Sequence, residues 1–346
     1  SYNSYFGVKN ITKTLDVLSP YEFVNWQYEL FSENPERTER YFGDYNDYDL
    51  YKQIDGTNWQ DEIFGRTGSS MFHNLSISGG SKTSTYNISL TRNDEKEIMI
   101  GSGFSRTNLL IKTTQKVNNW LKIDLNTTLS DTSLKGAGTS ENSRLMHVIT
   151  FRPIEGISDF LDAEVAEGDY GINDSFTVNP LKQTNDDYRR SKNLVFNFNG
   201  AATINFTKNF IYRFEYGYRY GKDAAERFWG INTTNVINFG YQPIASIEKT
   251  DIKSFRLSNV LTYDKKDFIQ NHNLNIMLGE ELYSYERENI KSSAKYFPKY
   301  IDAAHALRMM NLGIPDPIVA TEYPANKFSS FFGRLNYDYK KRYLAS

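Results

Sequence analysis

Over residues 121–129 apolar and polar side chains alternate without a break in parity. Leu121, Ile123, Leu125 and Leu129 fall on one side, and Lys122, Asp124, Asn126 and Thr128 on the other. A period of two is that of a β-strand whose faces meet different media. The pattern recurs at 193–205, where Leu194, Phe196, Phe198, Ala202 and Ile204 oppose Asn193, Asn197, Asn199, Thr203 and Asn205. At 212–220 five aromatics (Tyr212, Phe214, Tyr216, Tyr218, Tyr220) oppose Arg213, Glu215 and Arg219. Similar runs at 1–9, 71–79, 85–92, 104–114, 254–263, 272–284 and 328–339 predict about eleven strands. Short turns near 79–84, 115–119, 206–209, 264–271 and 340–341 alternate with longer connections near 10–70, 93–103, 131–190, 221–253 and 285–327. Strands of about ten alternating residues, with every long connection at one end, are the pattern of an antiparallel transmembrane β-barrel.

Two helices are predicted in the connections. Ser19-Pro20-Tyr21-Glu22 has the composition of a capping box with proline at the first helical position. Phe23, Trp26 and Leu30 give that helix an apolar face ending near Glu33. The polar, tyrosine-rich stretch 37–56 reads as loop. Ile301, Ala304, Leu307 and Met310 before Gly313 suggest a short helix folded over the fifth long connection.

Composition changes the picture in four places. Lys+Arg 40 against Asp+Glu 42 leaves a net charge of −2, which argues against a general nucleic-acid binder. No run approaches the ~18 apolar residues of a transmembrane helix, and the mean hydropathy of −0.59 agrees. A barrel needs only every second residue apolar. Aromatic residues make up 15%, in keeping with the interfacial girdles of a barrel. There is no cysteine, so disulfides, thiolate metal sites and cysteine catalysis are excluded together. The chain opens at Ser1-Tyr2-Asn3 and stops at Ala345-Ser346 within a strand pattern. That leads to the expectation of a piece of a longer polypeptide.

Candidate chemistry is sparse. Gly101-x-Gly103 leads into a strand and lacks the third glycine of a dinucleotide fingerprint. His73, His147, His272 and His305 have no metal-ligand spacing, and no catalytic set, metal site or cofactor is expected. The acidic run 44–49 reads as a solvated loop, with a calcium loop as the alternative. Candidate ligand contacts are Tyr170, Tyr188, Arg189, Trp229 and Tyr241, all assigned to the third and fourth long connections. An aromatic among polar neighbours stacks on a sugar ring or packs against adjacent loops. Trp59 and Phe64 read as an anchor holding the first connection to the barrel.

Several segments resemble SusC/RagA-type TonB-dependent outer-membrane transporters. They are Asn10-Ile11-Thr12-Lys13, Leu18-Ser19-Pro20-Tyr21-Glu22-Phe23, Asn58-Trp59-Gln60-Asp61-Glu62-Ile63-Phe64 and His73-Asn74-Leu75-Ser76-Ile77-Ser78-Gly79-Gly80-Ser81. Gly101-Ser102-Gly103-Phe104-Ser105-Arg106 and Ser330-Phe331-Phe332-Gly333-Arg334-Leu335-Asn336-Tyr337 match as well. The resemblance implies a 22-stranded barrel of which this chain would be the amino-terminal half. The plug and TonB-binding segment would precede residue 1, and the remaining strands would follow residue 346. It also implies an outer-membrane location, a SusD-like surface lipoprotein as partner, the TonB energising complex acting through the missing segments, and an oligosaccharide substrate. Oligopeptide import is the alternative. A barrel-borne hydrolase and a soluble glycan-binding β-domain are the competing classes. The first finds no local motif, and the loop asymmetry speaks against the second.

Overall fold

The computed structural model describes residues 1–136, 143–154 and 178–346. Tyr170 lies outside them. One antiparallel sheet carries β1 (Tyr2–Lys9), β2 (Gly68–Gly80), β3 (Ser84–Lys96), β4 (Gly103–Lys116), β5 (Leu121–Lys135), β6 (Asp187–Asn205), β7 (Phe210–Trp229), β8 (Ile244–Ile269), β9 (His272–Lys295), β11 (Val319–Tyr339) and β12 (Tyr343–Ala345), in that spatial order. The two-residue β10 (Ile314–Pro315) pairs with β9. The expected strand count and turn alternation are both present, and sequence neighbours pair throughout.

Register turns the alternation into two continuous coats. Leu121 pairs with Ile204, Ile204 with Tyr212, Tyr212 with Leu261, and Leu261 with Leu278. Paired residues point to the same face of a sheet, so these form one apolar row five strands wide. Four residues up, Leu125, Gly200, Tyr216, Leu257 and Leu282 form another. The intervening row is Asp124, Ala201, Glu215, Ser258 and Glu281. The apolar face is left open, with Leu278 60% and Phe331 80% exposed in the chain alone. An apolar surface of that extent is the lipid face of a barrel, and the opposite, polar face turns inward.

Above the apolar rows the same face becomes charged: Arg92, Asp131, Lys192, Lys222, Lys253 and Glu286 mark that edge. One polar chain interrupts the apolar belt. Tyr212 Oη donates to Asn259 Oδ1 at 2.7 Å, and Asn259 Nδ2 donates to Glu280 Oε2 at 3.2 Å.

Glycines admit large side chains within the sheet. Gly279 pairs with Phe332, and a Cβ on Gly279 would collide with the Phe332 ring. In β11 the register shifts between Tyr323 and Asn326, around Pro324. A proline has no N–H for the ladder, and a bulge is where a strand can hold one.

Three expectations on element bounds are corrected. Strands β7, β8 and β9 run to 20, 26 and 24 residues, so the fourth and fifth connections shrink to 230–243 and 296–318. At about 3.3 Å per residue and a tilt near 40°, β8 rises roughly 65 Å against an apolar band of ~25 Å. Its upper part therefore stands clear of the bilayer. The stretch 37–56 is also not plain loop. It holds α2 (Pro35–Phe42) and a 3₁₀ helix (Tyr45–Gln53).

The capped helix is present as α1 (Pro20–Leu30). Ser19 accepts from the Glu22 N–H, and the Glu22 carboxylate accepts from the Ser19 N–H at 2.8 Å. Val24 and Tyr28 of α1 pack with Tyr41, Phe42, Tyr51 and Ile154 into one buried cluster. The three clusters among the described residues all involve connections or strand ends above the belt, because the sheet itself buries its apolar face in lipid.

Candidate functional site

The inward face of the sheet carries a ladder of charges that pair with one another. Lys122 Nζ lies 3.1 Å from Asp124, and Asp124 also accepts from Thr114 Oγ1 at 2.7 Å. Arg213 reaches Glu215 at 2.5 Å and donates to Thr203 Oγ1 at 3.0 Å. Arg256 reaches Glu281 at 2.5 Å. Lys122, Asp124, Arg213, Glu215 and Arg256 line a concavity of about 470 Å³ together with Lys112, Asn126 and Asn199. Neighbouring charges cancel, so the wall offers hydrogen bonds to a polar solute without selecting one sign.

Higher up, the predicted contact residues separate. Trp229 ends β7, pairs with Asp187 and Ile244, and lies on the inward parity. The Arg227 guanidinium sits over its ring at 5.5 Å. Arg189 pairs with Arg227, which brings Arg189, Arg227 and Trp229 onto one inward patch. Tyr188 has the opposite parity. It pairs with Phe228 and packs on the outer face against Ala245, Ala294, Phe297 and Ala306. Ala306 belongs to α6 (Ala303–Arg308), the helix expected over the fifth connection. Tyr241 follows Gly240 in the connection between β7 and β8. Both adopt left-handed backbone, with φ 55 and 64, and the Tyr241 N–H donates to Val236 O at 3.0 Å.

The first and third connections meet where the sequence offered no local sign. Trp59 opens α3 (Trp59–Phe64). Its Nε1 donates to Arg152 O at 2.8 Å, and its ring meets Phe151 edge-on at 5.5 Å. Ile63 and Phe64 pack with Met99 and with Val148 of α4 (Ser143–Thr150). Trp59 and Phe64 thus hold the first connection to its neighbouring connections at Met99, Val148 and Phe151, and not to a barrel strand as expected. Between α1 and α4 lies an apolar recess of about 310 Å³ lined by Leu18, Phe23, Trp26, Trp59, Val148 and Phe151. Sequence reasoning placed Trp26 on a helix face and missed this recess, because its two walls are over a hundred residues apart.

Helix α4 is clamped to α5 (Pro180–Asp186). Arg144 reaches Asp187 at 2.7 Å in a nearly buried pair. His147, 3% exposed, faces the same interface, and its Nε2 has no hydrogen-bond partner. Burial pushes its pKa down to about 4, with Arg144 acting in the same direction and a hydrogen bond to the Val178 backbone opposing.

Nothing among the described residues gathers three potential metal ligands. The acidic run serves local structure: Asp44 accepts from the Asn46 N–H at 2.8 Å, and Asp49 pairs with Lys52 at 2.8 Å. Asp302 caps α6 and holds the His305 ring at 2.8 Å.

No protein-family profile matches the chain. TonB-dependent receptor P3 of Formosa agariphila is 24% identical over 351 residues, covering 99% of this chain and 32% of that protein. TonB-dependent receptor SusC of Bacteroides thetaiotaomicron is 24% identical over 364 residues, covering 99% of this chain and 33% of that protein. The chain thus spans about a third of the length of these curated relatives. Among solved structures, the RagAB peptide transporter superposes with a TM-score of 0.70 at 19% identity, over 98% of this chain and 40% of that one. The names are those of receptors and a transporter, not of enzymes. The two-coated sheet and one-ended long connections agree with these likenesses: the chain has the fold of a barrel segment and is similar to a stretch of the SusC-like TonB-dependent receptors.

Proposed function

We propose that this chain forms the amino-terminal half of a barrel that imports an oligomeric nutrient across the outer membrane. The rest of the polypeptide would supply the remaining strands, the plug and the TonB-binding segment. A SusD-like lipoprotein would cover the long connections, and the TonB complex would energise transport from the periplasm. The observation that carries the reading is the inward ladder of self-paired charges under a wall that rises well above the apolar belt. Such a lining passes a hydrated, mostly neutral solute, and an oligosaccharide suits it. Trp229 and Arg189 would then contact sugar rings and hydroxyls from the inward patch, with Tyr241 and Tyr170 in the connections.

Oligopeptide import is the second reading, favoured by the recess between α1 and α4. Its lining is apolar apart from Thr57 and Thr150, which suits a hydrophobic side chain.

The test is growth of cells carrying the full transporter on defined glycans or peptides. Trp229→Ala with Tyr241→Ala, and separately Trp26→Ala, would be compared at matched surface levels. The glycan reading expects the double variant to slow growth on glycans alone. Growth loss confined to peptides would overturn it in favour of the second reading.

A further inference from the structure

The short-turn end of the sheet carries cations of a different kind from those on the inward wall. Every short turn brings at least one: Lys82, Lys116, Lys208, then Lys265 with Lys266, and Lys340 with Lys341 and Arg342. Against these eight stand three acids in the same segments, Asp264, Asp267 and Asp338. The first three turns hold none. One turn higher, Lys122, Arg213 and Arg256 each sit on a carboxylate. Among the described residues, none of the eight turn cations makes an ion pair within 4 Å. Asp338 is occupied by Asn273 and by the Lys341 backbone N–H, although it also feels the Lys341 charge.

The cations adjoin exposed apolar groups that end the lipid face. Phe206, 64% exposed, continues the outward parity of Ile204 and stacks on Tyr212 two residues before Lys208, and Phe268 follows Lys266 on its turn. Lys340 lies over the Tyr339 ring at 5.1 Å. A ring at the edge of an apolar belt settles at the boundary between acyl chains and headgroups. A lysine beside it keeps its stem on apolar surface and its ammonium beyond, at the depth of lipid phosphates.

We propose that this rim is a docking surface for the anionic headgroups of the leaflet it faces, with the turn lysines as phosphate ligands. The occupant is a bilayer lipid rather than a soluble anion, because the aromatic residues give the surface an apolar half that a free anion would not use. The proposal rests on the barrel orientation alone and stands or falls separately from the substrate.

The experiment uses the full-length protein in detergent, with native mass spectrometry against phosphatidylglycerol and phosphatidylcholine of equal chain length. Wild type should retain phosphatidylglycerol in preference. At about fivefold in affinity per cation, Lys82→Gln with Lys208→Gln and Lys265→Gln, the last on the outward parity of Leu261, should abolish most of that preference. The matching triple arginine variant should keep it, and heat-modifiable mobility on gels confirms that each variant is folded. Equal retention of both lipids by wild type would overturn the proposal. So would an unchanged preference in the glutamine variant. Displacement of the lipid by millimolar inorganic phosphate would show an anion site and overturn it too.

Discussion

Acidification should open the clamp between α4 and α5. His147 is held there as the neutral imidazole, with its pKa lowered to about 4 from 6.5 by burial. In an opened state it would titrate near 6.5. A base with a depressed folded pKa stabilises the closed form fully above its unfolded value and loses that contribution as pH falls toward the folded one. The window is therefore pH 6.5 down to 4. At 1.36 kcal/mol per unit, the shift is worth about 3 kcal/mol, on the order of the whole opening free energy of a surface element. Arg144 cannot relieve the new charge, because it is itself cationic and is engaged with Asp187. Hydrogen exchange read by mass spectrometry over 143–154 and 178–187, corrected for intrinsic rates, should show the clamp opening nearly tenfold more often per unit below pH 6. His147→Gln should be flat across the same range. A protection that stays constant from pH 7 to 4.5 in the wild type, or an identical slope in the glutamine variant, would refute the reasoning.

Two further outcomes follow from the sheet. Ile123→Arg puts a charge on the lipid face and should cost about 2–4 kcal/mol, lowering outer-membrane assembly well below that of Lys122→Leu on the inward face; equal assembly would reverse the facing. Gly279→Ala should push the Phe332 ring off its pairing partner at a cost of about 1–3 kcal/mol, read as a lower unfolding temperature with unchanged assembly; an unaltered transition would mean the ring has room elsewhere.

The strands were legible because the two faces meet opposite media and the alternation keeps its parity through β5, β6 and β7. Residues 121–129 assign their own faces, and pairing with β6 and β7 only confirms them. The helix at Ser19 was legible through a capping box that uses atoms three residues apart. Strand ends were not. Above the belt, both faces of β8 meet water or protein, and Glu248, Thr250 and Asp251 carry no contrast between them, so hydrogen-bonded sheet reads as loop. The candidate site failed in the same way. Tyr188 and Arg189 looked like one cluster in the sequence, yet adjacent strand residues point to opposite faces, and only the upward extension of β6 made that rule apply. The recess at Trp26 and the Arg144–Asp187 clamp depend on segments brought together by tertiary packing, which no local pattern encodes.

From β5 to the base of β9 the register is constant, with no bulge until the turn between Lys265 and Ile269. Within that block a single inserted or deleted residue would exchange the two coats on the rest of its strand up to the next turn, sending Lys122-like groups into lipid and leucines into water. Descendants of one ancestral gene can therefore diverge here by substitution but not by length. Among the described residues, changes in length are confined to the connections, to the irregular end of β8 at Lys265–Ile269 and to β11, which already tolerates an irregularity at Pro324. Homologous barrels that handle different nutrients should then align without gaps across these strands and differ in length only between them. A sequence alignment built on β5 to β9 would be a ruler against which the history of the variable connections can be measured.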